Sequence, residues 1–160
     1  MFSRIVHPTD LSESSVPALQ TAHDLAKALG SELLVCYIAH PPLVADGESL
    51  TDPSTGESRD IAAELESHQP EEVGVKRSVR ILVTEQSANV KQLLGILEEM
   101  QSDLLVLGMH KRAGIAGWFG SSVTEEVVRR AKCPVMVVKS HDEGSDSSDA
   151  SAGTPEGNDA

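Results

Sequence analysis

Large rings are almost missing from this chain: one tryptophan, one tyrosine and two phenylalanines make up 2% of its 160 residues. Apolar residues still reach 39%, so the core has to be built from valine, leucine, isoleucine and alanine, which favours helices packed on a sheet of aliphatic strands. Cysteine is scarce, and the two present, Cys36 and Cys133, lie inside the apolar runs LLVCYI and KCPVMVV. Neither has metal-ligand spacing, and a thiol in such a run behaves as a small hydrophobe; both are expected in the core of a reduced protein. No run approaches the roughly 20 apolar residues of a membrane span, and no apolar stretch follows Arg4 as it would in a signal peptide. No membrane association and a cytoplasmic location are therefore expected. A basic surplus is also lacking: the net charge is −12, and of 25 acidic residues six follow Lys139, leaving 19 against 13 basic ones before it. An acidic body with few aromatics argues against a duplex-binding surface, which needs clustered Lys and Arg, so no nucleic-acid partner is expected.

What is present is a regular alternation. Ser3 to Pro8 suits a strand, and Pro8 ends it for want of an N–H. From Leu11 to Leu29 the period changes: Val16, Leu19, Ala22, His23, Ala26 and Leu29 recur at helical spacing, with Ser12 or Ser14 to cap, Pro17 in the first turn and Gly30 to close. Leu33 to Ile38 is short and continuously apolar, a strand buried on both faces. His40 to Glu57 reads as a long loop, Arg59 to His68 as a weak helix and Val73 to Val83 as a third strand. Asn89 to Met100 is helical by the spacing of Val90, Leu93, Leu94, Leu97 and Met100, Leu104 to Leu107 is a fourth strand, Val123 to Ala131 a helix and Val135 to Val138 a fifth strand. Strands alternating with helices imply an α/β fold, a parallel sheet with helices on both faces. One domain over residues 1–140 is expected. Residues 141–160, rich in Ser, Asp and Gly and without Val, Leu, Ile or aromatics, are expected to form a disordered acidic tail.

The segment Asp103 to Lys139 carries the most chemistry. An apolar run ends in Gly108, a basic loop with Lys111 and Arg112 follows, and the chain enters a helix through Ser121 and Ser122. Strand, glycine loop and helix N-terminus in that order hold phosphate in many proteins, because unpaired N–H groups and the helix dipole both favour an anion. Ser122 and Glu125 have the spacing of a capping box. Glu125 and Glu126 complement the same dipole and would repel a triphosphate at close range.

With these residues in view, the stretch RIVHPTDLSESSVPALQTAHDLAKALGSELLVCYIAH and the later SDLLVLGMH and GSSVTEEVVRRAKCPVMVVK resemble the universal stress protein (UspA-like) family, over about residues 2–139. The resemblance implies a three-layer α/β sandwich with a five-stranded parallel sheet of order 3-2-1-4-5, commonly dimeric, in which some members bind ATP. It sets the ends of the first and fourth strands side by side at a topological switch point, with Asp10 facing Gly108. Nucleotide-binding members carry Gly, two residues, Gly, nine residues, then Gly-Ser or Gly-Thr. Here Gly108 matches, the second glycine is replaced by Lys111, and the closing pair is either Ser121-Ser122 in strict register or Gly120-Ser121 if the loop is one residue short. The site residues implied are Pro8, Thr9, Asp10, Ile38, Gly108, His110, Lys111, Arg112, Gly120, Ser121, Ser122 and Val123, around ATP with magnesium.

Each has a plainer reading. Asp10 can cap the first helix, Gly108 can simply end its strand, and Ser121 and Ser122 can serve only as caps. His7, His40 and His110 all fall at strand ends and could share one rim with Asp10, but strand-end placement alone fixes no convergent geometry, so no metal site is expected. Trp118 and Phe119 form an apolar pair in the basic loop. No nucleophile and base are spaced for catalysis, so the chain is not expected to be an enzyme beyond slow ATP hydrolysis. The expectation is a regulatory adenine-nucleotide binder that dimerises through its fifth strand; the alternative is a nucleotide-free dimeric interaction module.

Overall fold

Three strands too apolar to face water on either side form the middle of the sheet: β1 (Arg4–Thr9), β2 (Glu32–Ala39) and, seven elements further on, the strand ending in Gly108 and Met109. The structure, a computed structural model, describes residues 2–39, 42–68, 74–83, 89–109 and 121–139. In chain order β1 is followed by a short 3-10 turn (Glu13–Ser15), α1 (Val16–Leu29), β2, β3 (Val44–Asp46), β4 (Ser49–Thr51), β5 (Ser58–Asp60) and α2 (Ile61–His68). Then come β6 (Lys76–Val83), α3 (Asn89–Glu99), β7 (Leu104–Met109), α4 (Ser121–Arg130) and β8 (Val135–Lys139).

The five-stranded sheet runs β6-β2-β1-β7-β8, all parallel, which is the expected order 3-2-1-4-5. Side chains alternate between its faces. Ile5, Leu33, Val35 and Tyr37 join Leu19, Ala22 and Ala26 of α1 and Ile61 and Leu65 of α2 in one core. Val6, Leu34, Cys36 and Ile38 join Val90, Leu93 and Leu97 of α3 and Val127 of α4 in the other. Each crossover therefore returns the chain to a parallel strand with its apolar stripe inward.

Two expectations need correction. The long loop at residues 40–57 contains structure: β3, β4 and β5 form an antiparallel three-stranded sheet. Its first hairpin turns at Gly47, whose φ of 61° is one that glycine adopts without strain. Leu50, fully buried in the first core, gives this small sheet its hold, and Arg59 pins it further. The Arg59 guanidinium donates to both Glu64 carboxylate oxygens (2.7 and 2.5 Å) and to the Tyr37 hydroxyl (3.3 Å), with its centre 5.8 Å from the Tyr37 ring centroid. The first helix, in turn, starts later than Leu11. Ser12 does not cap it, since its hydroxyl donates to Asp10 instead, whereas Pro17 in the first turn and Gly30 at φ 65° behave as expected.

Cys36 is buried, but Cys133 lies half-exposed against the second core. Burial pushes the Cys36 thiol up to about 12 and raises that of Cys133, so neither offers a thiolate at neutral pH. Among the described residues no helix is long and apolar enough to cross a membrane.

Leu105 sits at zero exposure in the second core. Leu105→Ala should lower unfolding free energy by roughly 2–5 kcal/mol in urea titration, and a loss below about 1 kcal/mol would contradict the central place given to β7.

Candidate functional site

The two central strands part where the site would lie. β1 pairs with β7 at Ile5↔Leu104 and Val6↔Leu105, while β1 stays with β2 as far as Thr9↔Tyr37 and β7 with β8 as far as Met109↔Lys139. On one side of this divide the chain crosses over through α1, on the other through α4, which is the condition for a ligand crevice at the carboxyl ends of the strands. Asp10 follows directly on β1, and Gly108 lies in β7, buried.

The turn that leaves β1 is a tightly bonded polar network. Asp10 Oδ1 accepts from the Ser12 backbone N–H (3.0 Å) and the Ser12 hydroxyl (2.6 Å), an Asx turn. The Thr9 hydroxyl accepts from the Leu11 N–H (3.0 Å) and donates to Ser15 Oγ (2.9 Å), which itself donates to the Ser12 carbonyl (2.7 Å). At the centre Leu11 has φ 56°, a left-handed conformation that costs a non-glycine residue roughly 1–2 kcal/mol. Its side chain, only 8% exposed, is inserted in the first core, and that burial together with the satisfied amides offsets the strain. Ser15 was not singled out in the sequence; nothing in SESS distinguishes the one serine whose hydroxyl closes the network.

Of the residues expected at the site, Pro8, Thr9, Asp10 and Gly108 come together at neighbouring strand ends. Thr9 is fully buried with its hydroxyl engaged, so any contact it makes outward is through its backbone. Ile38, on the next strand, is buried in the second core and likewise has only backbone to offer. Val123 packs half-buried on α4. Ser121 and Ser122 are the first two residues of α4, which overturns the capping box: Ser122 is inside the helix, and Glu125, instead of reaching back, accepts from Arg129 at 3.0 Å. His110, Lys111, Arg112 and Gly120 lie outside the described residues, as do His40, Trp118 and Phe119.

His7 does not sit on a rim. As an odd-numbered residue of β1 it shares the face of Ile5, at zero exposure beneath α1. Its Nδ1 lies 3.0 Å from the Val106 carbonyl oxygen; a carbonyl only accepts, so Nδ1 carries the proton. Burial drives its pKa down to about 4, opposed by the Val106 bond and by the negative charge of Asp10. Among the described residues no three His, Cys, Asp or Glu side chains converge on a metal position.

Comparison with known proteins gives a consistent picture. The sequence matches the universal stress protein family over residues 1–139. It is 30% identical over 144 residues to a universal stress protein of Methanocaldococcus jannaschii, covering 87% of this chain and 83% of that protein. It is 27% identical to one from Thermus aquaticus, covering 87% and 100%. Among solved structures, a universal stress protein crystallised in complex with cAMP superposes with a TM-score of 0.61 at 23% identity, over 88% of this chain and 99% of that one.

His7 generates a pH prediction. Its folded pKa near 4 lies below the usual 6.5, so between these values the unfolded chain binds the extra proton. The stability it permits is complete above pH 6.5 and falls as the pH drops toward 4, by about 3 kcal/mol in all. Asp103, whose carboxyl is held down by the Ser3 and Arg4 backbone amides, loses its contribution only at more acid pH. Urea unfolding from pH 7 down to about 4 should show the early loss in wild type and its absence in His7→Asn; equal slopes would remove His7 as the cause.

Proposed function

Since this chain belongs to the universal stress protein family, we propose that it binds an adenine nucleotide in the crevice between β1 and β7 and acts as a regulatory dimer in the stress response. The observation that carries this reading is the parting of β1 and β7 just below Asp10 and Gly108. It brings a carboxylate able to accept from ribose hydroxyls opposite a glycine whose backbone an anion can approach closely. The start of α4 at Ser121 supplies N–H groups and a favourable dipole for phosphate. Lys111 and Arg112 add positive charge in the intervening sequence, where the second glycine of nucleotide-binding relatives is replaced. That a protein of the same fold holds cAMP supports an adenine nucleotide as the ligand class. ATP with magnesium is the form to test first.

Catalysis is no part of the proposal beyond slow hydrolysis. His7, with its pKa near 4 and one nitrogen tied to Val106, is a poor general base for a ligand, and neither thiol ionises at neutral pH.

ATP with magnesium should raise the melting temperature by mass action and shift the emission of Trp118, the sole tryptophan. Asp10→Asn, which keeps an oxygen for the Ser12 turn but removes the charge, should weaken binding roughly tenfold. A flat response up to about millimolar ATP would end the nucleotide reading.

The second reading, a nucleotide-free dimeric module, draws on β8. This strand is an edge of the sheet, with Met136 37% exposed and Val135, Val137 and Val138 half-buried, the kind of edge that pairs with a copy of itself. Met136→Lys should convert a dimer to a monomer in analytical ultracentrifugation; a wild-type monomer would remove both the module and the dimeric part of the first reading.

A further inference from the structure

Between β1 and β7 one side chain takes over where the backbone stops. Backbone pairing of the two strands ends, among the described residues, at Val6 and Leu105, and Pro8 has no N–H with which to extend it. At the next step His7 Nδ1 donates to the carbonyl of Val106 at 3.0 Å. Val106 is fully buried and lies two residues before Gly108 on the same strand. Without the imidazole, its carbonyl would lose this partner away from water, which a buried acceptor rarely does at no cost. His7 Nε2, also buried, has no hydrogen-bond partner among the described residues; the bond to Val106 holds the ring through Nδ1 and fixes its tautomer.

We propose that His7 is a positioning residue of the crevice: its Nδ1–H ties β7 to β1 immediately below the opening and so fixes where the Gly108 backbone meets a ligand anion. The proposal rests on the nucleotide reading for its ligand, but the tie itself is a property of the free protein. Among the described residues, the side chains beside it on β2, β7 and the Asp10 turn do not make this tie. The residue in register with His7 on β2 is Val35, β7 carries no charged residue from Leu104 to Met109, and Asp10 is occupied with the Ser12 turn through Oδ1.

Two substitutions separate positioning from bulk. Asparagine carries its amide nitrogen about where Nδ1 sits, and glutamine about where Nε2 sits, so His7→Asn can restore the bond to Val106 and His7→Gln cannot. ATP titration and amide hydrogen exchange at Leu107 and Gly108 are then compared across wild type and both variants. Expected are an affinity within about threefold of wild type and protected amides for His7→Asn, against a loss of roughly tenfold and faster exchange at those two amides for His7→Gln. A glutamine variant that binds and exchanges like wild type overturns the proposal, and so does an asparagine variant that fails as badly as glutamine. If wild type takes up no ATP, the nucleotide reading falls, and the exchange pattern decides the positioning claim by itself. Should a variant not fold, the imidazole nitrogen spectrum of wild type decides: Nδ1 protonated and Nε2 bare from about pH 5 to 8 is required, and the opposite tautomer sinks it.

Discussion

Burial of the middle strands on both faces is the constraint from which the rest follows. β1, β2 and β7 carry almost no polar side chain that water could reach, so helices must cover each face, and parallel strands allow this only through crossovers of one hand. A chain that starts in the centre and builds outward first one way and then the other must leave β1 and β7 adjacent, with their connections departing to opposite faces. The parting of their carboxyl ends is the geometric result of covering both sides of an apolar sheet. The binding proposal uses this opening; it does not need a feature added to the fold.

Such an opening exposes backbone, and much of the polar structure at the end of β1 serves to satisfy it. Thr9, Ser12, Ser15 and Asp10 bond one another and the turn's amides within seven residues, and His7 meets the carbonyl across the divide. This explains why Leu11 tolerates a left-handed backbone: the turn must reverse at once so that α1 can run back under β1, and the leucine is anchored in the core it helps to close. Thr9 has little left to give a ligand, whereas Asp10, half-buried, stands where network and crevice meet.

The five long strands and a parallel sheet covered on both faces were legible because apolar runs and helical periodicity are properties of many residues at once, whereas the strand order came from the family resemblance. The small sheet was not. β3, β4 and β5 are three residues each, and two of them are exposed throughout, too short for any period to emerge; only the Asp46-Gly47 pair carried a local hairpin signal. His7 was misread for a related reason. A histidine at a strand end looks like an exposed rim residue, and its burial depends on α1 lying across that face, which no spacing within β1 records. Placing Ser122 as a cap failed because the capping-box spacing to Glu125 does not fix the helix boundary, and α4 already includes both Ser121 and Ser122. Gly108 and Asp10 were named through resemblance to a family, and their placement at neighbouring strand ends is a consequence of topology.

The carboxylates of α4 set the electrostatic balance at the proposed anion site. Read from sequence, Glu125 and Glu126 in the early turns oppose a phosphate. In the structure each is drawn toward a guanidinium one turn on, Glu125 to Arg129 at 3.0 Å and Glu126 to Arg130 at 2.5 Å. These pairs are solvent-exposed and stabilise the helix by no more than a few tenths of a kcal/mol each. Their effect on the field is larger than their effect on stability, because a carboxylate beside a guanidinium acts at a distance as a dipole, whose potential decays faster than that of a lone charge. An anion approaching the start of α4, as the binding proposal requires, would therefore meet less opposition than the count of acidic residues implies.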